Sequence, residues 1–241
     1  MLSRAANKIR RAAMSRAYDF GCRAVSALYD RAIATPPILD LNRYFSDHEL
    51  FAHNWRRIRE ECLGTLQDVG SVPQFHELME EQRPLSTHGD KYWRLFVLKA
   101  YGSNHRRNQT KCPITASLLK QAPSVLSATF SILEGRKHIP VHRGPFRGVL
   151  RYHLGLVIPA RADGTSSNRL KIDGNGYELR EGAELLWDDT YPHEAWNDSE
   201  QVRAVLMLDV MRPGMSLPLR WVTLAIITLV RLWIMIKGER A

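Results

Sequence analysis

Along the first ninety residues the apolar positions recur at helical spacing. In residues 1–34, Leu2, Ile9, Ala13, Phe20 and Leu28 roughly share one stripe, with Arg4, Lys8, Arg11, Arg16 and Arg23 around it. This pattern predicts a basic amphipathic helix, which Thr35-Pro36-Pro37 breaks. A second helical run follows from Asn42 to Leu66, where Trp55, Ile58, Cys62 and Leu66 fall on one face. Residues 67–90 are polar and loop-rich, a segment of the kind that folds over a cavity. Cys112-Pro113-Ile114-Thr115 opens a short helix ending near Gln121, with Thr115 as its candidate cap.

From Tyr92 the period shortens to two. YWRLFVLKAYG reads as a strand, and from Leu126 short strands alternate with turns: SATFSIL, HIPVH, GVLRYHLGLVI, RLKI, YELR, AELLW and VRAVLMLDV. Glu134-Gly135, Asp163-Gly164, Asp173-Gly174 and Glu181-Gly182 supply the turns. Many short strands without long helices between them predict a mainly β fold with flanking helices, an antiparallel sandwich or jelly roll. The expected organisation is an N-terminal arm over 1–34, one domain over 35–214, and a hydrophobic, basic C-terminal helix over 215–241.

That last segment introduces a membrane. Trp221–Ile236 is apolar apart from Arg231 and two threonines. As a helix it spans about 24 Å, short of the roughly 30 Å hydrocarbon core. With Arg220, Lys237 and Arg240 at its flanks it reads as an interfacial, shallowly inserted helix. Packing on the protein's own core or on another subunit is the alternative. The formal charge of +9 suits an anionic surface. It would also suit nucleic acid, but no recognition helix, zinc finger or aromatic stacking motif accompanies it. Three widely spaced cysteines without CxxC fit a reducing compartment.

Candidate chemistry clusters on the strands. Arg151 and His153 share one strand face, with Tyr152, Leu154 and Leu156 on the other. Arg203, Val205, Met207 and Asp209 likewise share a face, and an arginine opening an apolar strand is costly to bury unless an anion meets it. His142 and His193 stand beside proline-containing turns. Two histidines and two inward arginines suit a metal held together with a small dianion. A β domain whose histidines are simply satisfied is the plain alternative, and His48 and His53 are read as surface or packing residues.

The segments FSILEGRKHIPVHRGP, LRYHLGLVIP, WDDTYPHEAWNDSEQVR and LMLDVMRP resemble the aspartyl/asparaginyl β-hydroxylase family of iron(II)- and 2-oxoglutarate-dependent dioxygenases. The likeness runs from about Tyr92 to Pro213 and leans toward the bacterial lipid-hydroxylase branch. It implies a double-stranded β-helix (jelly-roll, cupin-like) core, with His142 and His193 as iron ligands. It further implies that Ser131 and Arg203 hold the distal carboxylate of 2-oxoglutarate, that Arg151 and His153 meet its other end, and that Asp189 orients a water near the iron. O2 is the second cosubstrate, and succinate and CO2 are products. Gly144 stands where many members of the wider superfamily carry a third, carboxylate ligand. Val149 stands where peptide-directed members carry an arginine, which favours an acyl chain over an acidic peptide, although Arg147 lies close. The implied reaction is hydroxylation of a membrane lipid near its carboxyl end, at C2. It would occur at the cytoplasmic face of a bacterial inner membrane, or in the cytoplasm if the C-terminal helix packs on the protein. A peptidyl Asp/Asn β-hydroxylase and a non-catalytic membrane-associated binding protein of the same fold remain the alternatives.

Overall fold

In the computed structural model, residues 26–161 and 164–237 are described. The helix expected over 1–34 therefore lies largely outside the described residues, though residues 26–30 are helical. Alternation after Tyr92 produces ten strands: β1 Trp93–Ala100, β2 Ser103–Asn104, β3 Val125–Leu133, β4 His138–His142, β5 Val149–Val157, β6 Asn168–Ile172, β7 Asn175–Glu178, β8 Glu184–Trp187, β9 His193–Asn197 and β10 Arg203–Met211. They pair in two antiparallel sheets, ordered β2-β1-β3-β10-β5-β8 and β4-β9-β6-β7. Neither sheet closes, and no strand ladder joins them among the described residues.

The architecture corrects the expectation of a mainly β, double-stranded β-helix core. The fold is mixed α/β, with two separate open sheets and helical flanks. The reason lies on the outer face of the larger sheet. Phe96, Leu98, Phe130, Ile132, Tyr152, Leu154, Leu156, Leu206 and Leu208 do alternate inward as a sandwich strand would. Their partners, however, are Phe51, Ile58, Cys62, Leu118 and Leu119, contributed by helices, and Phe45, which follows one. A strand's alternation records that a face is buried and not what covers it.

The helical run splits into Leu41–Tyr44, His48–His53 and Trp55–Leu66, and Ile58 and Cys62 are fully buried on the expected face. The Pro113–Gln121 helix forms as read, but Thr115 is not its cap. Glu61 accepts hydrogen bonds from the backbone N–H groups of Ile114 and Thr115 and from the Thr115 hydroxyl, at 2.6, 2.9 and 2.6 Å. An acidic side chain from a neighbouring helix thus satisfies the free N-terminal amides. His48 is a packing residue, held between Asn42 and Glu184.

The opposite face of the larger sheet meets the smaller one. Trp93, Leu95, Val97 and Leu133 pack there against Ile139, Leu170, Ile172 and Ala195. Phe75, from the 67–90 segment, stacks on Trp93 at 3.9 Å and 7°. The fully buried Lys137 fastens the same segment by donating to the carbonyls of Ser86 and His88.

A third cluster docks the C-terminal helix, which runs from Leu217 to Lys237 and is longer than the apolar core of its sequence suggested. Tyr29, Phe146, Val149 and Leu219 form this cluster, with Val222 and Ile226 against it. Val149 therefore has a partner in the helix. Val149→Arg should destabilise the protein by on the order of 3 kcal/mol, since a buried charge would face only apolar neighbours. Equilibrium urea unfolding measures this, and a change within 0.5 kcal/mol, about that of a surface substitution, would contradict the docking.

Candidate active site

The inner chamber is set by strand register. Arg151 pairs with Asp209, His153 with Met207, and Ser131 with Val205. These side chains, with Arg203, accordingly face the smaller sheet, as the two-residue period predicted. At one end stand the last residue of β4 and the first of β9, which pair across the ladder as His142 and His193. Their ring centroids lie 4.1 Å apart. His142 Nδ1 contacts the Pro140 carbonyl and His193 Nδ1 the Tyr191 carbonyl, each at 2.9 Å. A carbonyl accepts only, so each Nδ1 carries the proton and each Nε2 keeps a free lone pair. Burial pushes the His142 imidazole down to about 4 and holds His193 well below its ordinary range, so both are neutral at physiological pH. Neutral rings with the proton fixed on Nδ1 are the form that ligates a metal.

Asp189 adds a carboxylate at this end. The backbone N–H of Gly144 donates to the Asp189 carbonyl at 2.7 Å. A Cβ placed on Gly144 would run into the Asp189 carboxyl group. The space of the absent residue-144 side chain is thus filled by a carboxylate from the β8–β9 connection. Burial raises Asp189 to about 7, against the pull of Arg151. The described residues contain no cluster of three or more histidine, cysteine or acidic side chains arranged to hold a metal, so the two imidazoles stand as a pair with Asp189 beside them. Gly144→Ala should force the Asp189 carboxylate off Arg151. In the activity that the family resemblance implies, turnover should drop roughly 10- to 100-fold, the usual cost of losing an outer partner of a metal site, while a circular dichroism spectrum stays native. Unchanged turnover would show that Asp189 is free to yield.

Arg151 is heavily engaged. Its Nε donates to Asp209 at 2.7 Å and its Nη2 to Asp189 at 3.0 Å. Tyr101, which has a positive φ of 46°, donates its hydroxyl to the other Asp209 oxygen at 3.3 Å. His153 stands edge-on to Trp187 at 4.5 Å, and neither of its ring nitrogens has a hydrogen-bond partner.

The far end of the chamber is built differently. Arg203 is 1% exposed, its Nε donates to Asn168 Oδ1 at 2.9 Å, and its Nη2 has no hydrogen-bond partner. Burial lowers its pKa to about 9. Nearby, Trp93 Nε1 donates to Ser131 Oγ at 3.0 Å, which leaves the serine hydroxyl hydrogen free to donate. A buried guanidinium without a carboxylate, beside a free hydroxyl, is built for an anion.

The histidines and arginines singled out in the sequence thus lie around one chamber. Asp209, Tyr101, Asn168 and Trp93 complete it and were not assigned to it beforehand. Asp209 lay in plain view on the Arg203 face; Asn168 carries no local signal at all. Arg147 faces elsewhere: it pairs with Asp30 at 3.1 Å, donates to the Ile33 carbonyl and stacks on Tyr191. A surface depression of about 650 Å³ also lies outside the chamber. Two of its lining arginines, Arg161 and Arg169, are already paired with Asp198.

Comparison with known proteins supports hydroxylase-type enzymatic activity for this chain. Residues 52–213 match the aspartyl/asparaginyl beta-hydroxylase family, and the chain belongs to that family. An ornithine lipid ester-linked acyl 2-hydroxylase from Rhizobium tropici is 34% identical over 197 residues, covering 82% of this chain and 68% of that protein. The human aspartyl/asparaginyl beta-hydroxylase is 30% identical over 171 residues, covering 68% of this chain, which spans about a fifth of the human protein's length (21%). A solved salicylate 1,2-dioxygenase variant from Pseudoaminobacter salicylatoxidans superposes with a TM-score of 0.33 at 17% identity, covering 56% of this chain and 32% of that one, too slight a likeness to carry any conclusion.

Proposed function

We propose that this enzyme uses iron(II), 2-oxoglutarate and O2 to hydroxylate an acyl chain of a membrane lipid near its carboxyl end, at C2. The observation that carries the cosubstrate reading is Arg203, a buried guanidinium with an unpartnered Nη2 beside Ser131. Leaving such a group unpaired costs about 1–3 kcal/mol or more, which a bound carboxylate would relieve.

When bound, the iron and its cosubstrates supply oxidative decarboxylation to succinate and CO2, coupled to insertion of one oxygen atom into a C–H bond. His142 and His193 hold the metal through Nε2, and the Pro140 and Tyr191 carbonyls keep both rings in that tautomer. Arg203 and Ser131 take the distal carboxylate. Arg151, held by Asp209 and Asp189, and the unpartnered His153 take the end near the metal. Asp189, whose carboxyl group fills the space beside Gly144, would orient a water near the metal from its place against Arg151. Buried Trp187 stands against the His153 and His193 rings, and buried Trp93 against Ser131.

Two observations support a lipid as the substrate. The R. tropici relative is named for acyl 2-hydroxylation of a lipid. Leu217–Ile236 is also long and apolar enough to cross a membrane, with a mean hydropathy of 1.8 and only 11% of it buried. In this reading residues 35–214 carry the chemistry and 215–241 the membrane contact, with 1–34 as a second basic contact. The buried free thiols of Cys62 and Cys112 suit the cytoplasmic face.

The test is anaerobic reconstitution with iron(II) and 2-oxoglutarate, followed by O2-dependent succinate release with membrane lipids or with Asp-containing peptides. Lipid-dependent release with a 2-hydroxyacyl product is the expected result. Release coupled only to peptides would move the substrate to Asp or Asn side chains.

A further inference from the structure

The C-terminal helix has a definite relation to the chamber. β1 ends at Ala100, β3 begins at Val125, β10 ends at Met211 and β5 begins at Val149. The pairings Val210 with Val125 and Met211 with Val149 bring these ends to one rim of the larger sheet. The metal-ligand candidates and their neighbours share that rim: His142 closes β4, His193 opens β9, Arg151 is the third residue of β5, and Tyr101 follows β1.

The helix lies along this rim. Thr223 Oγ1 sits in the space a side chain on Gly148, just before β5, would need, and it hydrogen-bonds the Tyr29 hydroxyl at 2.7 Å. Ile226 packs in the cluster that also takes in Leu126, near the start of β3. The Arg231 side chain reaches within 3.7 Å of a Cβ position on Gly102, just past β1. Thr223, Ile227 and Arg231 are four residues apart and share one helix face; Thr223 and Ile227 are buried. In the order β1-β3-β10-β5, that face crosses from β5 to β1. The far side of the helix exposes Leu229, Leu232, Trp233, Met235 and Ile236. Arg220 and Lys237 stand near its ends in a chain of net charge +9. An apolar arc with cationic ends matches the interface of an anionic bilayer.

We propose that the C-terminal helix is a crossbar that seats the rim of the His142/His193 chamber on an anionic lipid bilayer, so that an acyl chain enters the chamber directly from the membrane. This orientation rests on the lipid-hydroxylase reading and adds to it which end of the protein faces the membrane. Exposed Val141 precedes His142 at this rim, whereas Glu200 stands at the opposite end, before Arg203.

Nitroxide labels on Val141→Cys, Leu232→Cys and Glu200→Cys, each in the full chain with Cys22→Ala, report the orientation by power-saturation EPR. On phosphatidylglycerol/phosphatidylethanolamine vesicles, labels 232 and 141 should become several-fold more accessible to O2 than to an aqueous nickel chelate, while label 200 stays aqueous. Label 141 remaining as aqueous as label 200, with label 232 buried, would overturn the crossbar in favour of an anchor that holds the rim away. All three labels remaining aqueous would overturn the bilayer as partner. Lipid-dependent succinate release, measured on the same samples, separates the two readings. A buried label 141 without lipid turnover supports the orientation and defeats the acyl-hydroxylase assignment.

Discussion

Arg203→Met is expected to raise the dissociation constant for 2-oxoglutarate from roughly 30-fold to several-thousand-fold. This range corresponds to the ~2–5 kcal/mol lost when one partner of a buried charge pair is truncated. The protein without cosubstrate should respond very differently. There the guanidinium is buried with only Asn168 for a partner, and methionine fills a similar volume without a charge to desolvate. Its melting temperature should therefore fall by only a few degrees, through the stranded Asn168 amide, or rise. The wild type should gain stability as 2-oxoglutarate is added, and the variant should not. Calorimetric titration and thermal scans measure the two halves. A variant that binds 2-oxoglutarate within about threefold of wild type would remove Arg203 from the cosubstrate site.

His193→Ala is expected to weaken iron(II) binding by more than about 100-fold, since even an outer-shell partner is commonly worth 10- to 100-fold. Succinate release should fall with it. With Gly144 offering no side chain, the neighbouring carboxylate is that of Asp189, which Arg151 already holds. The control is His48→Ala. That histidine is also buried, but it bridges Asn42 and Glu184 on the helical side of the larger sheet. Its loss should lower stability and leave the iron dissociation constant unchanged. Equal effects of the two substitutions on iron would mean that the His142–His193 pair is not the metal site.

Much of the chamber was legible because strand parity is strict. Arg151 and His153 on one face and Tyr152, Leu154 and Leu156 on the other follow from a period of two, and the register across β10 bears that out. The strand carrying His193 was harder to see. HEAWN holds a histidine, a glutamate and an asparagine and follows a Tyr-Pro turn, so it is not among the separate strands read from apolar alternation. His193 faces the chamber and the Asn197 amide donates to the carbonyls of Leu133, Glu134 and Gln201, while Glu194 points to the other face and pairs with His138 and Lys171. Site chemistry had replaced the apolar signal. Closure of the sheets was misread for a different reason: alternation in β3, β5 and β10 is the same whether helices or a second sheet cover it. Val149 shows the limit of a single substitution read alone. Its apolar character suggested an acyl chain, and its neighbours are Phe146 and Leu219 of the docked helix.

Two unclosed sheets leave four strands whose outer backbone groups are available to any other extended chain, the usual starting point for fibrillar association. Each is blunted in its own way. β2 is only two residues long. β8 is partly screened by the extended segment at Pro37–Leu39, which exchanges hydrogen bonds with Leu186 and Asp188. β4 contains Pro140, which has no N–H to offer a newcomer. β7 is four residues long, follows Gly174 at a φ of 83°, and includes Gly176. Each open border thus offers little to an incoming strand, whereas the end of the C-terminal helix keeps Leu229, Leu232 and Ile236 exposed.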